Sequence, residues 1–160
     1  MFKIRLLILL LSSVLIFSCT YQKSKNKNQY SIGYIGGSVD GLLLKNLLTN
    51  HLELLGMHHI DSIYEIQTSI KHSSNLYVTN IDNTSDRKQI LSSLITKIVN
   101  KEKDCDVFSS ELYIKQFYVF ASNDKFLSNQ KAEKEIRKDN IDSLVKKLIN
   151  QIDDLEINCL

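Results

Sequence analysis

The chain has 160 residues, 43% of them hydrophobic, and 20 Lys and Arg against 18 Asp and Glu give it a net charge of +2. That length suits one domain around one core, and the near-even charge mixture supplies no basic field of the kind a nucleic-acid partner needs. The absence of Pro and the wealth of Lys, Asn and Ile read as mutational bias rather than function.

Lys3 and Arg5 precede an unbroken run from Leu6 to Phe17 that contains only Leu, Ile, Val, Phe and two Ser and ends at Ser18-Cys19. A basic start, an apolar centre and a small-residue junction make a secretory signal. At about 12 residues the run falls short of the roughly 20 that a membrane-spanning helix requires. The segment resembles the bacterial lipoprotein signal, in which a small residue precedes a Cys that is diacylated and becomes the new N-terminus. The resemblance implies a signal peptide at 1–18, cleaved in front of a lipidated Cys19, and Thr20 in place of Asp implies sorting to the outer membrane. Each buried methylene contributes about 0.8 kcal/mol, so two or three acyl chains hold a protein on a bilayer without a spanning helix. The rival readings are an ordinary signal peptide with an incidental Cys and an uncleaved anchor.

Residues 19–29 then form a polar, Lys-rich leash without apolar period. Residues 30–160 are expected to make a single domain. Gly33, Gly36 and Gly37 around Tyr34-Ile35 let a strand turn into a helix. That helix is predicted over Gly41–Leu55, where Leu43, Leu44, Leu47, Leu48, Leu54 and Leu55 recur at helical spacing, with Asp40 as N-cap and Gly56 as stop. Ile63–His72 reads as a strand, Ser73-Ser74-Asn75 as a turn, and Leu76–Ile81 as the returning strand of a hairpin. Asp82-Asn83-Thr84-Ser85-Asp86 breaks the chain again.

Ile90–Val99 is ambiguous. Its apolar residues at 90, 91, 94, 95, 98 and 99 have a helical period, whereas Ser92, Ser93, Thr96 and the β-branched Ile95, Ile98 and Val99 favour a strand. A strand gives the long aromatic-rich strand Val107–Ala121, with Tyr113, Phe117, Tyr118 and Phe120, a partner across the charged turn Lys101-Glu102-Lys103-Asp104, and a strand is therefore expected. The last element is a helix from Gln130 to about Leu155, capped by Ser128, with Ile141, Leu144, Val145, Leu148, Ile149, Ile152 and Leu155 along one stripe. Its mixed-sign polar face suits core packing better than a membrane surface.

Catalytic and metal motifs find little support. His51, His58, His59 and His72 show no H-x-x-x-H spacing, and C-x-x-C, G-x-S-x-G and a Gly-rich phosphate loop are missing. Asp104 and Asp106 flank Cys105, which raises a thiol pKa and so works against a nucleophile. Cys105 and Cys159, left once Cys19 is set aside, are free to form one disulfide or to stay separate thiols. The expectation is a non-enzyme without cofactor or metal.

The order helix, strands, long C-terminal helix behind a lipidated Cys resembles the LPS-assembly lipoproteins of the LptE family. Leu44-Lys45-Asn46-Leu47-Leu48, Arg87 and the run from Tyr118 to Phe126 leading to Ala132-Glu133 carry the likeness, which spans Gly36 to Ile152. Thr20-Tyr21 departs from the Gly and aromatic that often follow the lipid Cys. The resemblance implies an outer-membrane lipoprotein facing the periplasm that partners an LptD-like β-barrel and contacts lipopolysaccharide. The alternative is an accessory lipoprotein of another envelope transport complex. The fold class expected is α+β, with two helices on one face of a roughly four-stranded, mainly antiparallel sheet. Its other face is free, and phosphate groups there would want cations, for which Arg87, Lys88, Lys97 and Lys115 are the candidates.

Overall fold

The computed structural model describes residues 28–78, 86–120, 125–153, 155–157 and 159. The expected signal at 1–18, Cys19 and most of the 19–29 leash lie outside the described residues. The elements run β1 (Ser31–Gly36), α1 (Ser38–Leu54), β2 (Tyr64–Val78), β3 (Asp86–Asn100), β4 (Cys105–Phe120) and α2 (Phe126–Asp153). The strands lie in the order β1-β2-β3-β4. The β2–β3 and β3–β4 pairs are antiparallel, and β1 is parallel to β2 because α1 provides the crossover between them. The α+β expectation holds, and so does the strand reading of Ile90–Val99.

Alternation decides which side of each strand is buried. Ile66, Thr68 and Ile70 of β2 and Ile90, Ser92, Leu94, Thr96 and Ile98 of β3 face the helices and are buried. Of these, Ile66, Ile70, Leu94 and Ile98 meet Leu44, Leu48 and Leu52 of α1 and Ile141, Leu144, Val145, Leu148, Ile149 and Ile152 of α2 in one core. The Thr68 and Thr96 hydroxyls, opposite one another in the register, lie 2.9 Å apart, so these two polar groups satisfy each other inside the apolar layer. The helical period of residues 90–99 was a coincidence of doublets: every second residue points into the core, and the intervening Leu91 and Ile95 face outward.

Four local expectations are corrected. The Ser73-Ser74-Asn75 turn does not exist; all three residues pair with Leu91, Ile90 and Gln89 inside a continuous β2. They are exposed near the far end of the sheet, where a strand carries polar side chains without burial cost. Asp40 is not the N-cap. The cap is Gly37 at φ 122°, where a Cβ would come within 2.5 Å of Ile70 Cγ2, and α1 starts three residues before the expected Gly41. Helix α2 begins at Phe126, so Ser128 sits inside its first turn, and it ends at Asp153. Gly56 does stop α1, with the left-handed φ of 67° that a glycine adopts freely. Leu54, predicted on the apolar stripe, is 82% exposed, because the buried row of α1 runs Gly41, Leu44, Leu48, Leu52 and Leu54 projects away from it.

The domain has a base and a tip. At the base Tyr30 N–H donates to Met57 O at 2.8 Å and Asn28 Nδ2 donates to Leu155 O at 3.1 Å, so the chain enters the domain beside the end of α2. Cys105, where β4 begins, is bonded to Cys159, with Cα atoms 5.7 Å apart, which ties the C-terminal tail to the same end. The tip, where β2 passes to β3 and β4 to α2, is a full strand length away, about 50 Å for a strand of this size.

Candidate functional site

The sheet face turned away from the helices is the first candidate surface. Along β4 the exposed residues are Ser109, Glu111, Tyr113, Lys115, Phe117 and Val119. The register sets Tyr113 opposite Ser93, Lys115 opposite Leu91, Phe117 opposite Gln89 and Val119 opposite Arg87. Tyr113, Phe117 and Val119 are 65%, 55% and 65% exposed, so these side chains do not complete the domain's own core. The result is an apolar and aromatic strip, denser toward the tip, flanked by Arg87 and Lys115.

Of the four candidate cations, Arg87, Lys97 and Lys115 share this open face. Lys97 Nζ is 2.8 Å from Asp106 Oδ1, which the bulge opposite Ile98 and Val99 brings onto the same side. Lys88 does not belong to the group. One residue out of phase, it points to the helix side of the sheet, where its ammonium lies 2.6 Å from Glu133 Oε2.

That pair opens a second candidate, a polar cleft of about 770 Å³ at the tip, lined by Val39, Asp40, Lys88, Tyr118, Glu133 and Arg137 among others. Here α1, β3, β4 and α2 each contribute a polar side chain. Glu133 also accepts from Arg137 one turn along α2, and Arg137 Nη1 is 3.9 Å from Asp40 Oδ2. Asp40 Oδ2 is in turn 3.5 Å from His72 Nε2, an ion-pair distance without hydrogen-bond geometry. His72 Nδ1 lies 2.7 Å from Ser92 Oγ, and Asn140 Nδ2 donates to that oxygen at 2.8 Å.

The titration behaviour follows from these contacts. Burial drives the His72 pKa down, opposed by the Asp40 carboxylate and reinforced by the Arg137 guanidinium. The ring and the Ser92 hydroxyl share a hydrogen bond whose donor is set by the ring tautomer, and the same oxygen accepts from Asn140. Burial also pushes on Glu133, upward, but the hydrogen bonds from Lys88 and Arg137 outweigh it and hold the carboxyl below its ordinary range. The hydrogen bond to Glu133 raises Lys88. Tyr118 is raised by burial against the pull of Lys88.

Asp40, His72 and Ser92 stand in the order of a hydrolytic triad, but Ser92 Oγ is sealed under α2 with no exposed surface. The arrangement is a polar join between sheet and helices. Among the described residues no three His, Cys, Asp or Glu side chains group as a metal site. His51 and His58 lie 3.7 Å and 3.6 Å from Asp142 and Glu53, and His59 Nδ1 accepts from the Asp61 backbone. Among the described residues no helix is long and apolar enough to cross a membrane.

The sequence reading missed the join because its members are scattered singly over four elements. Two signals point to it. Ser92 interrupts the buried series Ile90, Leu94, Ile98, and Asn140 sits one turn before Leu144 on the apolar stripe of α2.

No protein-family model matches this sequence, and no curated protein resembles it significantly. Its fold has counterparts among solved structures. Rare lipoprotein B from Shewanella oneidensis superposes with a TM-score of 0.62 at 11% identity, covering 78% of this chain and 92% of its own. A minor lipoprotein from Acinetobacter baumannii gives 0.61 at 13% identity over 83% and 96% of the two chains. The solution structure of lipoprotein B from Nitrosomonas europaea gives 0.57 at 12% identity over 79% and 83%. At these identities the likeness establishes a common fold.

Proposed function

We propose that this protein is an outer-membrane lipoprotein, anchored through Cys19 and facing the periplasm, that plugs a lipopolysaccharide-transport β-barrel and supports its assembly. The observation that carries the reading is the open face of the sheet. A helix-backed sheet presents Tyr113, Phe117 and Val119 to solvent beside Lys115 and Arg87. Aromatic side chains with a polar and cationic surround are the composition of a contact surface, and they suit a wet barrel lumen better than hydrocarbon. The fold shared with proteins named as lipoproteins supports the same placement. Arg87 and Lys115 are the cations this reading assigns to lipopolysaccharide phosphates, and Lys88, held by Glu133, is withdrawn from that role.

The point at which the chain enters the domain supports the proposal. The chain enters at the base, beside the end of α2, and the aromatic strip and cleft lie toward the opposite end, so a lipid at Cys19 and a leash leave the tip free to reach into a partner. The test is affinity purification of the full lipoprotein from outer-membrane extract. A large β-barrel is expected to co-purify in a one-to-one complex, and depletion of the lipoprotein is expected to lower assembled barrel and surface lipopolysaccharide together. Recovery of the folded, lipidated protein without a barrel would refute the reading.

A further inference from the structure

Strand β4 ends the sheet, with β3 on one side and no strand on the other among the described residues. Sixteen residues is long for an edge, and the outward N–H and C=O groups of an unpaired edge are a template for another strand. Two charges on its open face stand out. Among the described residues Lys115 makes no ion pair, and Glu111 accepts only from the Ser93 hydroxyl, at 3.0 Å. Four residues apart on one extended strand, they are about 13 Å from each other and cannot pair within the chain.

Read antiparallel about Tyr113, the strand is complementary to itself at every pair from Phe108 to Tyr118 except Ser109, which faces Phe117. In that register Glu111 faces the second copy's Lys115, and symmetry makes the same pair again on the other side of Tyr113, which meets its own equivalent. On the helix side Leu112 faces Ile114, Ser110 faces Gln116 and Phe108 faces Tyr118, so apolar meets apolar and polar meets polar. The neighbouring registers lose this match. Centring on Leu112 sets Ser110 against Ile114 and Phe108 against Gln116, and centring on Ile114 sets Glu111 against Phe117 and Leu112 against Gln116. Centring on Lys115 or Glu111 brings like charges together, which disfavours pairing.

We propose that two copies of this chain associate edge to edge through β4, antiparallel and in register about Tyr113, to form one continuous eight-stranded sheet. The interface is isologous, so each charge is satisfied twice by one two-fold axis. The axis stands perpendicular to the sheet, which leaves the open faces of both copies on the same side and all four helices on the other. The inference goes beyond the barrel reading and concerns the chain outside the one-to-one complex, which this dimer cannot enter; it is measured on the purified chain alone.

The test uses the full-length lipoprotein in non-ionic detergent, followed by sedimentation with the detergent density-matched. The wild-type chain is expected to sediment as a dimer at high concentration. Glu111→Lys and Lys115→Glu each turn two attractions per dimer into two repulsions, and each is expected to weaken association by about tenfold or more. Mixing the two variants restores both pairs and is expected to give a heterodimer, and the double variant E111K/K115E is expected to dimerise alone. Should a single variant fail to fold, as read by far-ultraviolet circular dichroism, the double variant carries the test. A wild-type chain that stays monomeric at the highest concentration reached, single variants that dimerise as tightly as wild type, or a double variant that stays monomeric would each overturn the proposal.

Discussion

Lys88 Nζ lies 2.6 Å from Glu133 Oε2, and this contact fastens the start of β3 to the N-terminal part of α2. A cation that the strand pattern offered to the open face is thereby committed to the internal join, and Glu133, with Arg137 on its other oxygen, becomes the anion on which two cations depend.

Removing Glu133 is therefore expected to cost more than removing Lys88. Glu133→Ala leaves two cations facing each other in a partly buried cleft, for a loss of about 1–3 kcal/mol, whereas Lys88→Met keeps the Arg137 pair and costs about 1 kcal/mol or less. Urea denaturation of the two variants checks the order, and equal losses would mean that the cleft is too wet for the charges to matter.

His72 gives the fold a pH dependence of definite sign. Its folded-state pKa lies below the ordinary 6.5, so the unfolded chain takes up the proton first. Stability is expected to be full above about pH 6.5 and to fall on acidification until the folded ring itself is protonated. Glu133 and Asp142, both held low, add their losses in a separate, more acidic window below the ordinary carboxylate range. His72→Gln should flatten the first window and leave the second. Urea midpoints across the range decide the matter; wild type gaining stability on acidification would show that Asp40, not burial, dominates the ring.

Leu148 has no exposed surface and sits in the middle of the α2 stripe. Leu148→Ala is expected to destabilise the domain by about 2–5 kcal/mol, the range for a buried Leu whose site cannot collapse fully. A denaturation midpoint that hardly moves would contradict the core described above.

The Cys105–Cys159 bond closes a span of 54 residues from the start of β4 to the C-terminal tail. Cys105→Ser is expected to cost about 2–4 kcal/mol, chiefly through the freedom returned to the unfolded chain. Thermal denaturation with and without reductant checks this, since the reductant should lower the wild-type midpoint toward that of the variant and leave the variant unchanged.

How much of this was legible in the sequence follows from the range of the forces involved. The core stripe of α2 is a local pattern that places Leu148 inside correctly, whereas the alternation of β4 sets Tyr113 and Phe117 on one side of the sheet without saying which side is buried. The course of β2 was not legible, because Ser73-Ser74-Asn75 has turn composition and only pairing with Ile90 and Leu91 across the sheet holds it extended. The Gly37 cap was obscured by Asp40, a good capping residue whose carboxylate is drawn to Arg137 and His72 instead. The polar join was out of reach, since Asp40 and Asn140 are a hundred residues apart and meet only through His72 and Ser92. Among the cations, chemistry alone grouped Lys88 with Arg87, and the one-residue phase of a strand separated them.

The claim that the open sheet face meets a barrel is tested most directly by site-specific photocrosslinking along β4 in cells. Probes at Tyr113, Lys115 and Phe117, which face outward, are expected to capture an outer-membrane β-barrel protein, while probes at Leu112 and Ile114, beneath α2, are expected to capture none. Silence at all three outward positions in a protein that is folded and lipidated, or equal capture from both sets, would contradict the account.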